Sequence, residues 1–463
     1  MPKPPFSLLV TAYDVLPLQR RKLYPLELYN TVKLFGTSGI RGRYPEDVHE
    51  SLFMKVGSAL GSLFQEVVVG RDVRRTGRAL QEALMAGLAS AGTQVHDCGM
   101  VTTPTVAHVA AGFDCGCILT ASHNPPEYNG LKLWSSSGMA FDEDLRSKVE
   151  EAMDASPSHS NWREVGRLYP YEGALREHKE KVLSAVESSD VKVVVDCGNG
   201  AASLLAPFVL GEMGCQLAAI NCQPDGSFPA RGAEPTEEAL RTLKKAVLRS
   251  KYDIGIAYDG DGDRMVAVDE EGRVVKPEKL LILFARASGA KKVVAPVDAS
   301  MILEDVLGRG SVIRTKVGDV FVAETIVEEE ADLGGEPSGT WVFPDFALCP
   351  DGIYAAAYLC SILRRGTLGE LVREIPEYPI IRDSLSYVPA KDVRGGLEGG
   401  IAAMDAQEVT RLDGWRLEFG DAWALVRPSG TEPKVRITVE AREEERAREI
   451  YARLHSKVSK AIS

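Results

Sequence analysis

Three times along this chain, a short apolar run stops at a glycine- and acid-rich loop and then hands over to a helix. Residues 66–69 (EVVV) run into Gly70-Arg71-Asp72, a helical stretch follows at 76–91, and strand-like runs return at 93–98 and 117–120. Residues 191–196 (VKVVVD) enter a turn at 197–200, then come a helix at 201–213, a strand at 216–220, a helix at 237–250 and a strand at 254–258. A third round begins near 265–269 and continues through 279–287, 292–297, 299–307 and 311–315. Strands that alternate with helices build βαβ units, so an α/β fold with three layers of similar size is expected. Chemistry in such folds sits in loops that leave the carboxyl ends of the strands. Residues 141–189 are polar and helical, with a boundary at 187–190. Beyond residue 378 the texture changes to short strands at 415–419, 422–427 and 434–440. A helix at 444–460 follows, with Ile450, Leu454 and Val458 along one face. This segment reads as a small α+β closing domain. The 463 residues correspond to about three or four domains.

Charge narrows the partners. A net charge of -12 and a pI near 5.3 argue against nucleic acid or an anionic membrane as partner. An acidic chain that binds an anion must gather arginine, lysine, backbone N–H groups or a metal in one cleft. The cysteines at 98, 115, 117, 197, 215, 222, 349 and 360 contain no C-x-x-C pair. They read as buried thiols of a reducing, cytoplasmic compartment, with Cys115 and Cys117 as small core-filling residues. No run of 18 apolar residues occurs, so no membrane-spanning helix is expected. Residues 1–31 form an N-terminal extension: an apolar patch at 7–10 precedes a basic one at 19–22, the reverse of a signal peptide. An over-extended gene start is the expectation for this stretch.

Four loops carry candidate chemistry. In Thr120-Ala121-Ser122-His123-Asn124-Pro125-Pro126, a small hydroxyl sits beside an imidazole in a proline-stiffened turn. Such a hydroxyl can serve as a nucleophile held in one pose, or simply cap an Asn-Pro turn. A Ser–His–Asp hydrolase is disfavoured, because adjacent Ser and His do not readily face each other as nucleophile and base. Lys132 follows closely and brings an ammonium. In Asp259-Gly260-Asp261-Gly262-Asp263-Arg264, alternate positions of an extended segment point the same way, so three carboxylates converge. Unpaired, they would repel by roughly several kcal/mol. A hard divalent ion resolves this, and Mg²⁺ suits a few carboxylates plus a phosphate oxygen. An EF-hand is rejected, because position six is Arg264 and an apolar strand follows.

The third loop, Gly334-Gly335-Glu336-Pro337-Ser338-Gly339, offers one carboxylate and one hydroxyl to sugar hydroxyls at close backbone approach. The fourth, Arg427-Pro428-Ser429-Gly430-Thr431-Glu432-Pro433 with Arg436 beyond, combines an arginine fork, hydroxyls and backbone N–H groups into an anion cradle. Each of these two could alone be a plain turn. Arg41 in Gly36-Thr37-Ser38-Gly39-Ile40-Arg41-Gly42, Arg71-Asp72 and Lys316-Val317-Gly318-Asp319 are lesser candidates; Arg71 or Asp72 also reads as part of a structural salt bridge.

Taken together, these loops closely resemble those of the α-D-phosphohexomutase superfamily, the phosphoglucomutases, phosphomannomutases and phosphoglucosamine mutases. The resemblance spans about residues 32–463, in the family's order. It implies three similar α/β domains with mixed sheets and a C-terminal α+β, TATA-box-binding-protein-like domain around a central cleft. The partition expected is 32–160 with the phosphoserine loop, 161–264 ending in the metal loop, 265–378 with the sugar loop and 379–463 with the phosphate loop. By resemblance, Ser122 is the phosphoserine, and Asp259, Asp261 and Asp263 bind Mg²⁺ (one per subunit) with the Ser122 phosphate as a further ligand. Arg264 is an active-site cation, and Arg41, His123 and Lys132 form a cationic, acid/base cluster. Glu336 and Ser338 bind sugar hydroxyls, with Lys316 a further substrate contact. Arg427, Ser429, Gly430, Thr431 and Arg436 grip the non-reacting phosphate.

The family's reaction interconverts a sugar 1-phosphate and 6-phosphate through a phosphoserine enzyme and a sugar 1,6-bisphosphate, which also serves as activator. A hexose or hexosamine phosphate is the expected partner, with no nucleic acid and no membrane, and the protein is expected to be a monomer or homodimer. In many relatives a His follows the sugar loop; here Gly339 precedes Thr340 and Trp341, which leaves the acid/base group open. Lys316-Val317-Gly318-Asp319 and the doubled glycine before Glu336 point to the phosphoglucosamine mutase branch. A metal-dependent sugar phosphatase with a serine intermediate, and a phosphosugar sensor, are the competing readings.

Overall fold

Because the run Val67–Gly70 is buried along its whole length, its strand must be covered on both faces, as parallel sheets are. The computed structural model describes residues 34–37, 39–155, 159–388, 393–429 and 433–462; the extension 1–31 and Gly430 and Thr431 lie outside the described residues. Strand Glu66–Arg71 lies inside a six-stranded mixed sheet. Its order is Ile40–Arg43, Tyr128–Ser135, Cys115–Leu119, Glu66–Arg71, Gln94–Met100 and Leu168–Pro170. The first two junctions are antiparallel and the rest parallel. Helices Glu50–Leu63 and Gly77–Ser90 cross closely in this unit. A Cβ on Gly57 would lie 2.2 Å from the Leu84 carbonyl, and one on Gly87 would lie 2.2 Å from that of Met54, so only glycine permits the approach.

The second sheet runs Met265–Val268, Ile254–Tyr258, Lys192–Asp196, Gln216–Ile220, and the third Val312–Thr315, Val293–Pro296, Leu333–Glu336, Thr340–Val342. Each has one antiparallel edge on an otherwise parallel sheet. The last sheet is five-stranded and wholly antiparallel: Ile380–Ser386, Lys434–Ala441, Ala422–Pro428, Trp415–Glu418, Glu408–Thr410. Ile450, Leu454 and Val458 of helix Glu444–Ile462 are buried, as their spacing predicts.

Two strands join different sheets from those the sequence pattern suggests. Met265–Val268 reads as the start of a third round, yet it turns back antiparallel onto Ile254–Tyr258. Leu168–Pro170 extends the first sheet beyond residue 160. The apolar stretch 201–213 divides into a short 3₁₀ turn, Ala201–Leu204, and helix Ala206–Glu212. Pro207 lacks an N–H and sits in the first turn of the second piece, where that loss costs least.

The units are pinned together by buried polar contacts. His108 on helix Thr103–Val109 and His178 on helix Ala174–Ala185 both place Nε2 against Asp351 Oδ2, at 2.9 and 2.8 Å. Asp351 Oδ1 meanwhile caps helix Gly352–Ile362 through the N–H groups of Ile353 and Tyr354. One carboxylate thus ties three helices from three regions of the chain. Burial, then His178, pushes His108 down to about 4; Lys181 also faces it, and Phe346 packs on its ring. An unfolded histidine titrates near 6.5. Between these values the unfolded chain takes up a proton that the folded chain refuses. Stability is therefore complete above the window and falls by up to roughly 3 kcal/mol as pH drops through it. Urea midpoints measured from neutral pH down to about pH 4 should show this slope, and His108→Gln should flatten it.

The antiparallel sheet docks on the third unit through Trp423. Its ring packs under the Arg416 guanidinium at 4.0 Å, and its Nε1 donates to Glu440 Oε2 at 2.7 Å. Glu440 Oε2 also accepts the Met301 N–H at 2.8 Å, and Arg416 donates to the Val297 carbonyl. Among the described residues, no helix is long and apolar enough to cross a membrane.

Candidate active site

The loop after strand Cys115–Leu119 holds Ser122 in an unusual pose, with φ at +49°. A non-glycine residue in that region persists only where its surroundings over-determine it. Here the determinant is Arg74, a residue the sequence reading passed over. Its guanidinium is buried and all five N–H donors are used. Nη1 donates to the Pro125 and Tyr128 carbonyls at 2.6 and 2.8 Å, and Nη2 to those of Ser122 and Asn124 at 2.8 and 2.7 Å. Nε donates to Asp72 Oδ2 at 3.0 Å. The salt bridge anticipated at Arg71 or Asp72 is therefore Asp72–Arg74, and it organises the serine loop. Arg71 instead donates to the Asp72 carbonyl.

The acidic loop lies directly against this serine. Ser122 Oγ donates to Asp259 Oδ2 at 2.7 Å. A Cβ on Gly260 would sit 2.5 Å from the Ser122 carbonyl, so glycine is required for the two loops to touch. Oxygens of Asp259, Asp261 and Asp263 lie within 4.8 Å of one another. They converge through bends, with Gly262 at φ +77°, rather than along an extended strand as alternation suggested. Asp261 Oδ2 accepts from Thr103 Oγ1 at 2.6 Å and Lys132 Nζ at 3.1 Å; Lys132 Nζ also donates to Asp263 Oδ2 at 2.5 Å.

Burial, then Asp261 and Asp263, drives the Asp259 carboxyl well above its ordinary range. Burial acts on Asp261 too, but Lys132 and the Thr103 hydroxyl outweigh it and hold that carboxyl low. Asp261 Oδ1 and Asp263 Oδ1 are buried with no hydrogen-bond partner among the described residues. Two orphaned carboxylate oxygens beside a third carboxylate are what a hard, oxygen-seeking cation requires, so this donor set fits Mg²⁺.

His123 Nδ1 lies 3.3 Å from Ser122 Oγ, so the neighbours do face each other, contrary to the expectation for adjacent Ser and His. The positive φ of Ser122 turns them to one side. Burial, then Arg264 and Arg41, pushes His123 down to about 3, which keeps the imidazole neutral. Lys132 moves the other way. Burial opposes its charge, but Asp261 and Asp263 prevail and hold it as an ammonium. Arg41 Nη1 donates to Asn124 Oδ1 at 2.9 Å. Arg264 faces Glu234 at 3.8 Å and Asp263 at 4.0 Å.

The glycine-flanked loop is stitched to the acidic loop by its own backbone. Met265 N donates to the Gly339 carbonyl at 3.0 Å, and Trp341 Nε1 to that of Met265 at 3.2 Å. Glu336 Oε1 accepts the Gly318 N–H at 2.8 Å, and Ser338 Oγ donates to Glu336 Oε2 at 3.3 Å. Burial, then Asp319, raises the Glu336 carboxyl to about 7. Thr340, directly after the glycine-flanked loop, is buried with Oγ1 2.8 Å from Ser338 Oγ.

In the antiparallel sheet, Arg427 and Arg436 are direct cross-strand neighbours. Like charges so placed repel, and Arg382 lines the same cavity of about 390 Å³. Three guanidinium groups thus line one hollow with two carboxylates, Asp298 and Asp383, and the excess of arginine suits an anion; Arg382 is the member that sequence reasoning missed. Asp413 holds Arg427 Nε at 3.3 Å and accepts the Val317 N–H at 3.1 Å. Ser429 donates its N–H to the Lys434 carbonyl. Lys316 lines an adjoining cavity with Arg411 and Asp413 and places Nζ 5.2 Å from the Phe321 ring centre.

Known proteins match along nearly the whole chain. Residues 32–159, 171–272 and 276–378 match the alpha/beta/alpha domains I, II and III of the phosphoglucomutase/phosphomannomutase family, and 390–456 its C-terminal domain. A Methanocella arvoryzae protein named "Probable phosphoglucosamine mutase" is 43% identical over 93% of this chain and 98% of its own length. A Methanosarcina acetivorans protein of the same name is 45% identical over 93% of this chain and 100% of its own. The crystal structure of a phosphoglucomutase/phosphomannomutase family protein from Burkholderia thailandensis superposes with a TM-score of 0.84. It shares 29% identity and covers 93% of this chain and 97% of that one. The serine, carboxylate triad, half-buried glutamate and arginine hollow thus lie in a chain that relatives match over nearly its whole length, and the chain belongs to the phosphoglucomutase/phosphomannomutase family of α-D-phosphohexomutases.

Proposed function

We propose that this enzyme interconverts glucosamine 6-phosphate and glucosamine 1-phosphate, with Ser122 as the phosphoryl carrier. The observation that carries the reading is the 2.7 Å contact from Ser122 Oγ to Asp259, beside two carboxylate oxygens without a hydrogen-bond partner among the described residues. The names of the relatives, 43–45% identical to this chain, support the amino sugar. One Mg²⁺ per subunit, held by Asp259, Asp261, Asp263 and the Ser122 oxygen, would neutralise charge on the transferring phosphoryl group.

The chain's own groups do the rest. Ser122 presents its oxygen in one pose because Arg74 fixes the loop. The Ser122 hydroxyl donates to Asp259 Oδ2, and neutral His123 places Nδ1 3.3 Å from the serine oxygen. Lys132 and Arg264 keep the acidic cluster compact and attract the phosphoryl oxygens. Glu336 and Ser338 orient sugar hydroxyls by hydrogen bonding. Arg427, Arg436, Ser429 and the adjoining Gly430 and Thr431 hold the phosphate that is not reacting. The intermediate sugar 1,6-bisphosphate turns over between these two anion sites and also primes the serine. All eight cysteines are free thiols, in keeping with a cytoplasmic enzyme.

The test is a side-by-side turnover assay on glucosamine, glucose and mannose 1-phosphates, with intact-mass detection of phosphoserine. Fastest turnover on the amino sugar and a phosphoryl group on Ser122 are expected. Steady release of inorganic phosphate, or protein that never acquires label from a radiolabelled sugar bisphosphate, would overturn the reading.

A further inference from the structure

The carboxyl ends of strands Lys192–Asp196 and Gln216–Ile220 each lead into a cysteine. The strands are parallel neighbours with Asp196 opposite Ile220. Cys197 follows the first immediately, and Cys222 lies two residues beyond the second. Cys197 is buried, Cys222 half-buried, and the Cys222 thiol donates to Cys197 Sγ across 3.2 Å. Cys222 also sits 3.1 Å from the Ile220 carbonyl, so its sulfur is held in place. Two further close pairs differ: Cys215 and Cys360, which share a hydrogen bond, are both buried. Cys115 and Cys117 lie 4.0 Å apart on one extended strand, and both are buried, so no solute reaches them.

We propose that Cys197 and Cys222 are a reversible thiol-modification site: a small-molecule disulfide oxidises them to an intrachain disulfide that lowers turnover. Cys222, the half-exposed partner, attacks one sulfur of the reagent as thiolate and releases one thiol. Cys197 then loses its proton and attacks Cys222 Sγ, expelling the second thiol. Two electrons and two protons pass from the protein to the reagent, which leaves as two thiols. Exposure favours this order: Cys222 is half-buried and is reached first, while burial pushes the Cys197 thiol up.

The pair lies under the acidic loop. Gly200 N donates to the Cys197 carbonyl at 2.8 Å, and Ala201 N to the carbonyl of Gly260, between Asp259 and Asp261, at 2.9 Å. Arg231 Nη2 donates to the Tyr258 carbonyl at 2.6 Å and Arg231 Nε pairs with Asp196 at 3.1 Å. Closing the sulfurs from 3.2 Å to about 2.05 Å draws this turn against the backbone that spaces the three carboxylates.

Reduced full-length enzyme is equilibrated with increasing oxidised glutathione, then alkylated, digested and assayed. Loss of two alkylatable thiols, a peptide joining 197 to 222, and at least a twofold fall in turnover reversed by dithiothreitol are expected. Cys222→Ser should form no such link and keep its activity in the oxidant, whereas Cys98→Ser, which alters the other half-buried thiol, should behave as wild type. The site is overturned if 197 and 222 stay alkylatable in oxidant that glutathionylates Cys98. A complete link with unchanged turnover overturns its coupling to the acidic loop. The thiol count does not depend on the mutase reading, so failure of that reading and failure of this one are distinguishable.

Discussion

Ser122→Ala is expected to reduce turnover by a factor on the order of ten thousand or more, the scale on which enzymes lose rate when a covalent nucleophile is removed. Binding should survive. The arginine hollow of Arg382, Arg427 and Arg436 and the Glu336 loop lie on other units and keep their own contacts. The backbone at 122 should also persist, since Arg74 grips carbonyl groups, which alanine retains. Alanine meets the same positive φ as serine, and only the hydroxyl contacts to Asp259 and His123 disappear. Calorimetry of substrate binding beside a turnover assay separates the two. Residual turnover within tenfold of wild type would show that another group carries the phosphoryl.

Arg74→Met should be nearly as damaging, by a different route. The substitution leaves Asp72 as a buried carboxylate without its cation and strips the donor from four carbonyls of the serine loop. Removing one partner of a buried pair costs about 3–5 kcal/mol. The released loop lets Ser122 leave its positive-φ pose, and a displacement of about 1 Å at a reacting atom costs roughly a hundredfold in rate. We expect a lower urea midpoint together with a fall in kcat at nearly constant KM, because the sugar and phosphate contacts lie elsewhere. Arg74→Lys should rescue neither effect, since one ammonium cannot reach four carbonyls and a carboxylate. A variant that loses stability but keeps kcat would reduce Arg74 to a packing residue.

Much of the site was legible because its chemistry is local. Ser122 and the three aspartates lie in turns that follow apolar strands and Glu336 is the last residue of its strand, so all are found at carboxyl ends. Less legible were elements whose stabilisation is remote. Strand Tyr128–Ser135 is polar in sequence, yet nearly all of it is buried because the first sheet flanks it on both sides. Helix Glu50–Leu63 depends on two glycines meeting across a helix crossing. In the sequence nothing separates Arg74 from the neighbouring Arg71, Arg75 and Arg78, and nothing singles out Arg382. The distinction between a solvated arginine and a buried clamp lies wholly in which carbonyls surround it.

By itself, the sequence determined the alternation of strands and helices, the loops that carry chemistry and the kinds of group each offers, because these follow from side-chain periodicity and turn preference within a few residues. Only the tertiary structure decided which groups act on which. It turned His123 toward Ser122, left two carboxylate oxygens unpartnered, kept Lys132 charged and set two thiols 3.2 Å apart. Charge state and hydrogen bonding depend on burial and on neighbours more than a hundred residues away, and a linear pattern carries no record of either.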